Sequence, residues 1–163
     1  MQVRLATLVD LDDVAELIAA YAEEGSLLPR SRESLRQSLG VLAVAVDGSQ
    51  VVGAVALHQL EPAVGEVRSL AVRTGQRGRG LGQALVNFAV EMAIVRGLAK
   101  VICFTRQVGF FERCGFQVVA RETVPGKYFI DCISCPKLTR CDETAMERVL
   151  TYESVIGYAE STG

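Results

Sequence analysis

The chain predicts a mixed α+β fold built on a central, mostly antiparallel sheet, and three observations carry that prediction. Valine- and alanine-rich runs of strand length occur at residues 41–46, 50–57 and 66–72, and Asp47-Gly48-Ser49 between the first two is a hairpin signal. From Leu81 to Val95 the apolar residues Leu81, Leu85, Phe88, Met92 and Val95 keep a helical period, which defines the strongest helix in the chain. Further strand-like runs follow this helix, so strands stand on both sides of it in sequence.

Taken in order, residues 3–9 are apolar-rich and extended in character. Asp10 then stands at the capping position before Leu11-Asp12-Asp13, where Leu11, Val14, Leu17, Ile18 and Tyr21 recur at helical spacing. Gly25 stops that helix, Pro29 punctuates the loop, and Ser31 opens a second short helix with Leu35 and Leu39 on one side. The hairpin at 41–57 follows, then the turn at residues 62–65 and the run 66–72, which together read as an antiparallel meander. After the strong helix, closed by Gly97, residues 100–104 read as a strand, 109–114 as a short helix ended at Gly115, and 116–120 and 127–132 as strands. A last helix is expected from Asp142 to about Val155, with a loose tail after it.

The 163 residues, half of them hydrophobic, can bury a core and ask for no more than one domain, residues 1–163, with a cysteine-containing segment at about 131–163. A net charge of −2 gives no general attraction to phosphate backbones or anionic lipid, so nucleic acid is not an expected partner and any anion site must be built locally. The first residues carry no basic segment followed by an apolar stretch, and no apolar run approaches the roughly 20 residues of a membrane span, so a cytoplasmic protein without membrane contact is expected. The five cysteines are an odd number without an export signal, and reduced thiols are the starting assumption. Cys132, Cys135 and Cys141 are clustered, but a tetrahedral zinc site needs a fourth ligand. The only histidine, His58, lies far back in sequence, which leaves Cys103 or Cys114 to complete a set; packed thiols are the simpler reading and no metal is expected.

The segment 72–82, Val-Arg-Thr-Gly-Gln-Arg-Gly-Arg-Gly-Leu-Gly, joins a strand to the strong helix. Glycines at 78, 80 and 82 remove side chains that would block an anion, the helix start offers free amides and a favourable dipole, and Arg77 and Arg79 add charge for a pyrophosphate. The spacing is neither the Gly-Lys-Ser/Thr ending of a Walker A loop nor the G-x-G-x-x-G dinucleotide fingerprint, because the glycines run G-x-G-x-G.

With Arg77, Gly80 and Gly82 at its fixed positions, after a strand ending Leu70-Ala71-Val72, this loop resembles the R/Q-x-x-G-x-G/A loop of GNAT acetyltransferases. The resemblance implies the GNAT fold and acetyl-CoA as co-substrate. It also implies that the pyrophosphate lies on the amides of Arg77, Gly78, Arg79, Gly80, Leu81 and Gly82, and that the pantetheine arm pairs like an extra strand along Ser69 to Val72, with Leu70, Ala71 and Val72 as its cofactor-binding residues. It extends to the acetyltransferase domain of N-acetylglutamate synthases, especially the short stand-alone form, through residues 27–35, 65–72, 104–116 and 126–146. This wider resemblance implies acetyl transfer to the α-amine of L-glutamate, the first step of arginine biosynthesis. Where similar proteins often read Leu-Thr-Tyr, this chain reads Phe104-Thr105-Arg106.

An amine attacks a thioester only as its free base, so a carboxylate near it is needed, and Glu66, which matches the family's catalytic glutamate, is the candidate base. Thr105 lines up with the family's hydroxyl position and is the candidate proton donor to the leaving thiolate; a threonine at a strand end also commonly satisfies a nearby backbone group. The two carboxylates of glutamate call for basic residues, and Arg30, Arg68 and Lys127 stand in matching segments, with Arg68 on the face of Glu66 by the period of two. Alternative readings are another acceptor, such as glutamine, a different amino acid or a protein N-terminus, and an acyl-CoA-sensing module that does not turn over. Antiparallel edge strands would allow a homodimer.

Overall fold

Small and β-branched residues dominate the strands, and they let a broad sheet be covered closely by helices. The computed structural model describes residues 1–23, 27, 30–76, 78, 80–123 and 143–150. Its strands are β1 (Gln2–Leu5), β2 (Leu42–Asp47), β3 (Gln50–Glu61), β4 (Val64–Val72), β5 (Lys100–Thr105), β6 (Gln117–Val118) and β7 (Thr144–Val149), hydrogen-bonded in the order β1-β2-β3-β4-β5-β7-β6. The helices are α1 (Leu11–Glu23), α2 (Arg32–Gln37), α3 (Leu81–Val95) and α4 (Val108–Arg113). Pairing is antiparallel for β1 with β2, β2 with β3, β5 with β7 and β6 with β7, while β4 and β5 run parallel. β4 returns from β3 through Pro62-Ala63, a link too short for a parallel crossover. The expectation of a mixed α+β fold with a mostly antiparallel sheet holds.

Contacts group the chain into two units. The first, Met1–His58 with Val67–Met92, has a core in which Leu11, Val14, Leu17 and Ile18 of α1 and Leu35 of α2 cluster with Leu42, Val44, Ala54, Ala56 and Ala71 of the sheet. Each fully buried leucine or isoleucine there stabilises by about 1.5–3 kcal/mol relative to exposure. Ser31 caps α2 as expected, its side chain accepting from the Ser34 amide. In the second unit, Gln59–Glu66 with Ala93–Gly163, β4 pairs β5 from Val64–Lys100 to Glu66–Ile102, and β5 pairs β7 along its whole length. Phe111 stacks edge-on against Phe110 and Phe116, with ring centres 5.1 and 5.3 Å apart.

Several local expectations are corrected. Residues 144–149 form β7, not a helix: Thr-Ala-Met-Glu-Arg-Val contains good helix formers, but pairing with β5 and burial of Ala145 and Met146 override that propensity. The first strand ends at Leu5, and Asp10 does not cap α1 but folds back, accepting from the Thr7 amide at 2.8 Å and from Arg4 at 2.8 and 3.2 Å. The run at 116–120 contributes only Gln117–Val118 to the sheet. The expected stop at Gly25 and strand at 127–132 lie outside the described residues, as do Cys132, Cys135 and Cys141.

Candidate functional site

In the first unit the end of β4 leads into the glycine loop and α3. Ser69 has φ 57, a left-handed value that L residues other than glycine take at a cost of about 1–2 kcal/mol, and it distorts β4 between Arg68 and Leu70. Arg68, Ser69 and Leu70 are half-buried, whereas Ala71 and Val72 are buried. Beyond them Gly78 (φ 84) and Gly80 (φ 76) are left-handed, with open space where a Cβ would stand, so backbone conformation and not crowding demands glycine there. Ala84 N donates to Gly80 O at 3.0 Å, which leaves the amides of Leu81, Gly82 and Gln83 ahead of the first intrahelical bond. No acidic residue stands in the first turn of α3. The loop can therefore take an anion. Arg77 and Arg79, expected to add charge here, lie outside the described residues.

Arg30 is half-buried and held on several sides. Its Nε donates to Ser34 Oγ at 2.9 Å, one terminal nitrogen to Ser38 Oγ at 3.0 Å, and the other lies 3.5 Å from His58 Nε2. Because a guanidinium only donates, His58 Nε2 is the acceptor in that contact. These partners of Arg30 were not legible in sequence, since the serines read as ordinary residues of a short helix.

Glu66 and Thr105 lie in the second unit. Glu66 is 1% exposed, in register with Ile102 at the end of the β4–β5 pairing. Among the described residues no buried side-chain nitrogen or oxygen lacks a hydrogen-bond partner. Thr105 ends β5, buried, and its Oγ1 accepts from the Gln107 amide at 2.8 Å, so the hydroxyl does satisfy a backbone group while its own proton stays on the oxygen. Arg106 is exposed. Cys103 is buried between them in sequence; burial, and after it the charge of Glu66, pushes its thiol well above the usual range, so it is no nucleophile at neutral pH. Burial likewise raises Cys114. Among the described residues no group of three His, Cys, Asp or Glu side chains is placed to hold a metal ion. Lys127 lies outside them.

One residue at the site was missed. Tyr21, placed by the sequence only in the helical spacing of α1, donates its hydroxyl to Val72 O at 2.8 Å and accepts from Val72 N at 3.1 Å. Helical period located its ring but said nothing about its polar tip.

Residues 10–116 match the acetyltransferase (GNAT) family. An uncharacterized N-acetyltransferase of Chlorobaculum tepidum is 36% identical over 148 residues, spanning 91% of this chain and 96% of its own. A Mycobacterium tuberculosis protein solved in complex with CoA superposes with a TM-score of 0.80 at 28% identity, covering 93% of this chain and all of that one. N-acetylglutamate synthase from Neisseria gonorrhoeae, solved with coenzyme A and N-acetyl-glutamate, gives a TM-score of 0.82 at 26% identity over 92% of this chain. That match spans 35% of the neisserial chain.

Proposed function

The chain belongs to the acetyltransferase (GNAT) family, and from that premise we propose that it transfers the acetyl group of acetyl-CoA to the α-amine of L-glutamate, giving N-acetylglutamate and CoA. The observation that carries the reading is the buried carboxylate of Glu66 at the end of the β4–β5 pairing. A carboxylate so placed takes the proton of the acceptor's ammonium, and the free amine attacks the thioester carbonyl. A backbone amide in the stretch 70–72 holds the oxyanion. The carbon–sulfur bond then breaks, the Thr105 hydroxyl passes its proton to the leaving sulfur, and the second proton shed by the acylated nitrogen restores the hydroxyl, so that neutral amide and CoA thiol leave. Burial holds the Cys103 thiol protonated, which favours direct transfer of the acetyl group to the amine over a route through an acetylated Cys103.

The glycine loop fits the pyrophosphate of the co-substrate: two left-handed glycines clear of neighbouring atoms precede the free amides of α3. Arg30, Arg68 and Lys127 are assigned to the two carboxylates of glutamate, and the bonds to Ser34 and Ser38 orient Arg30 for that task. The neisserial synthase, crystallised with N-acetyl-glutamate, supports glutamate as acceptor. Arg106, exposed beside Thr105 where similar proteins often carry tyrosine, favours as second reading a different acceptor such as glutamine.

The test is CoA release from purified protein with acetyl-CoA and L-glutamate, L-glutamine, L-aspartate or a polyamine. Preference for glutamate supports the proposal. Equal or better efficiency with glutamine selects the second reading, and acetyl-CoA binding without turnover on any acceptor leaves the sensing module.

A further inference from the structure

The peptide of Val72 points away from β3. Arg73 N donates to Val52 O at 2.8 Å, and in an antiparallel ladder alternate residues face opposite neighbours, so the N–H and C=O of Val72 lie on the other edge of β4. The register with β5 ends at Glu66–Ile102, well short of Val72. An unpaired strand edge costs free energy once it is shielded from water. Tyr21, from the last turns of α1, meets both groups at once: its hydroxyl donates to Val72 O at 2.8 Å and accepts from Val72 N at 3.1 Å. One phenol oxygen thus does for this residue what the amide of a neighbouring strand would do.

Tyr21 and Val72 also border a cavity of about 300 Å³ shared with Glu16, Leu17, Ala20, Arg73 and Thr74. The half-buried phenol therefore stands beside open space, while Leu17 and Ile18 of the same helix pack into the core.

We infer that Tyr21 is a positioning residue that stands in for the amide arm of the acyl carrier: it saturates the Val72 edge while the site is empty and gives that edge up when the arm pairs along β4. The inference rests on the acetyl-CoA reading above. Its consequence is that the arm displaces two hydrogen bonds on binding, so the hydroxyl weakens affinity for any ligand that carries the arm and leaves unchanged the affinity of one that does not.

The experiment compares wild type with Tyr21→Phe by calorimetric titration of two ligands, CoA and 3′-phosphoadenosine 5′-diphosphate, which keeps the nucleotide and pyrophosphate but lacks the arm. The expected result is a Kd for CoA lowered about tenfold in the variant, from two displaced bonds of modest net worth, with the Kd for the nucleotide unchanged. An unchanged or raised Kd for CoA overturns the inference, and so do equal shifts for both ligands, which a merely structural tyrosine would produce. If Tyr21→Phe does not fold, selectively ring-labelled Tyr21 in wild type takes its place: its resonance moves on adding CoA and stays put with the nucleotide, and the reverse overturns the inference. Failure of wild type to bind CoA at all instead removes the acetyl-CoA reading, and this inference with it.

Discussion

Replacing Gly53 with alanine tests how tightly β3 packs beneath α3. A Cβ built on Gly53 stands 2.8 Å from Leu85 Cδ1, 3.2 Å from the Ala71 carbonyl oxygen and 3.6 Å from Ala45 Cβ. Leu85 has no exposed surface and lies among the equally buried Val86 and Ala89, so its methyl has little room to retreat, and the Ala71 carbonyl is backbone. Overpacking of this kind costs about 1–3 kcal/mol, and the stiffer unfolded chain of the alanine variant returns roughly 0.5–1 kcal/mol. The net loss at the middle of these ranges is about 1.25 kcal/mol. For a chain of 163 residues, with an unfolding entropy of about 2.1 cal/mol/K per residue, this lowers Tm by roughly 4 °C. Melts followed by circular dichroism at fixed scan rate and protein concentration measure it, and Gly53→Val should fall further. A Tm for Gly53→Ala equal to or above that of wild type would refute the packing argument.

Glu66→Gln keeps the shape of the side chain and removes its basicity; kcat/KM should fall about 100-fold or more while CoA affinity stays the same, and near-normal turnover would remove Glu66 as the base. Asp10 titrates below the usual aspartate value of 3.8, first because Arg4 donates to it and then because of the Thr7 amide, and these bonds outweigh its burial. Its folded value lies below its unfolded one, so the stabilisation is fully present above the ordinary carboxylate range and disappears as pH falls through the folded value. Asp10→Asn should therefore cost about 1–2 kcal/mol in urea titrations at neutral pH, and its deficit should vanish in strong acid; a gap that does not change with pH contradicts the assignment. Cys103→Ala should retain turnover, and quenched reactions with labelled acetyl-CoA should yield no acetylated Cys103 in wild type; label on that thiol would replace direct transfer with a two-step route.

The parts of the fold that came through from sequence are those fixed locally. α3 was placed at Leu81–Val95 because its apolar period is unbroken, and the β2–β3 hairpin because Asp47-Gly48-Ser49 can only turn. β7 was misread because its residues have helical propensity, and only a partner about 40 residues away in sequence, β5, makes them extended. The same division runs through the site. The glycine loop carries its signal in residue type, since Gly78 and Gly80 take backbone angles that few other residues tolerate. The hold of Ser34, Ser38 and His58 on Arg30, the left-handed Ser69 and the clasp of Tyr21 on Val72 depend on distances that no local pattern encodes.

β5 lies between β4, which precedes it in the chain, and β7, which follows it. During synthesis the β2–β3 hairpin can pair as soon as it emerges, whereas Lys100–Thr105 finds its second neighbour only after about 40 more residues have left the ribosome. Through that interval Cys103, inert once folded, has an unfinished strand edge beside it. The thiol is therefore expected to meet solutes in newborn chains and to be shut away in finished ones, where it is 1% exposed. Pulse-labelling with a thiol reagent during translation, compared with labelling of the mature protein, would reveal the age of the chain by which Cys103 becomes protected.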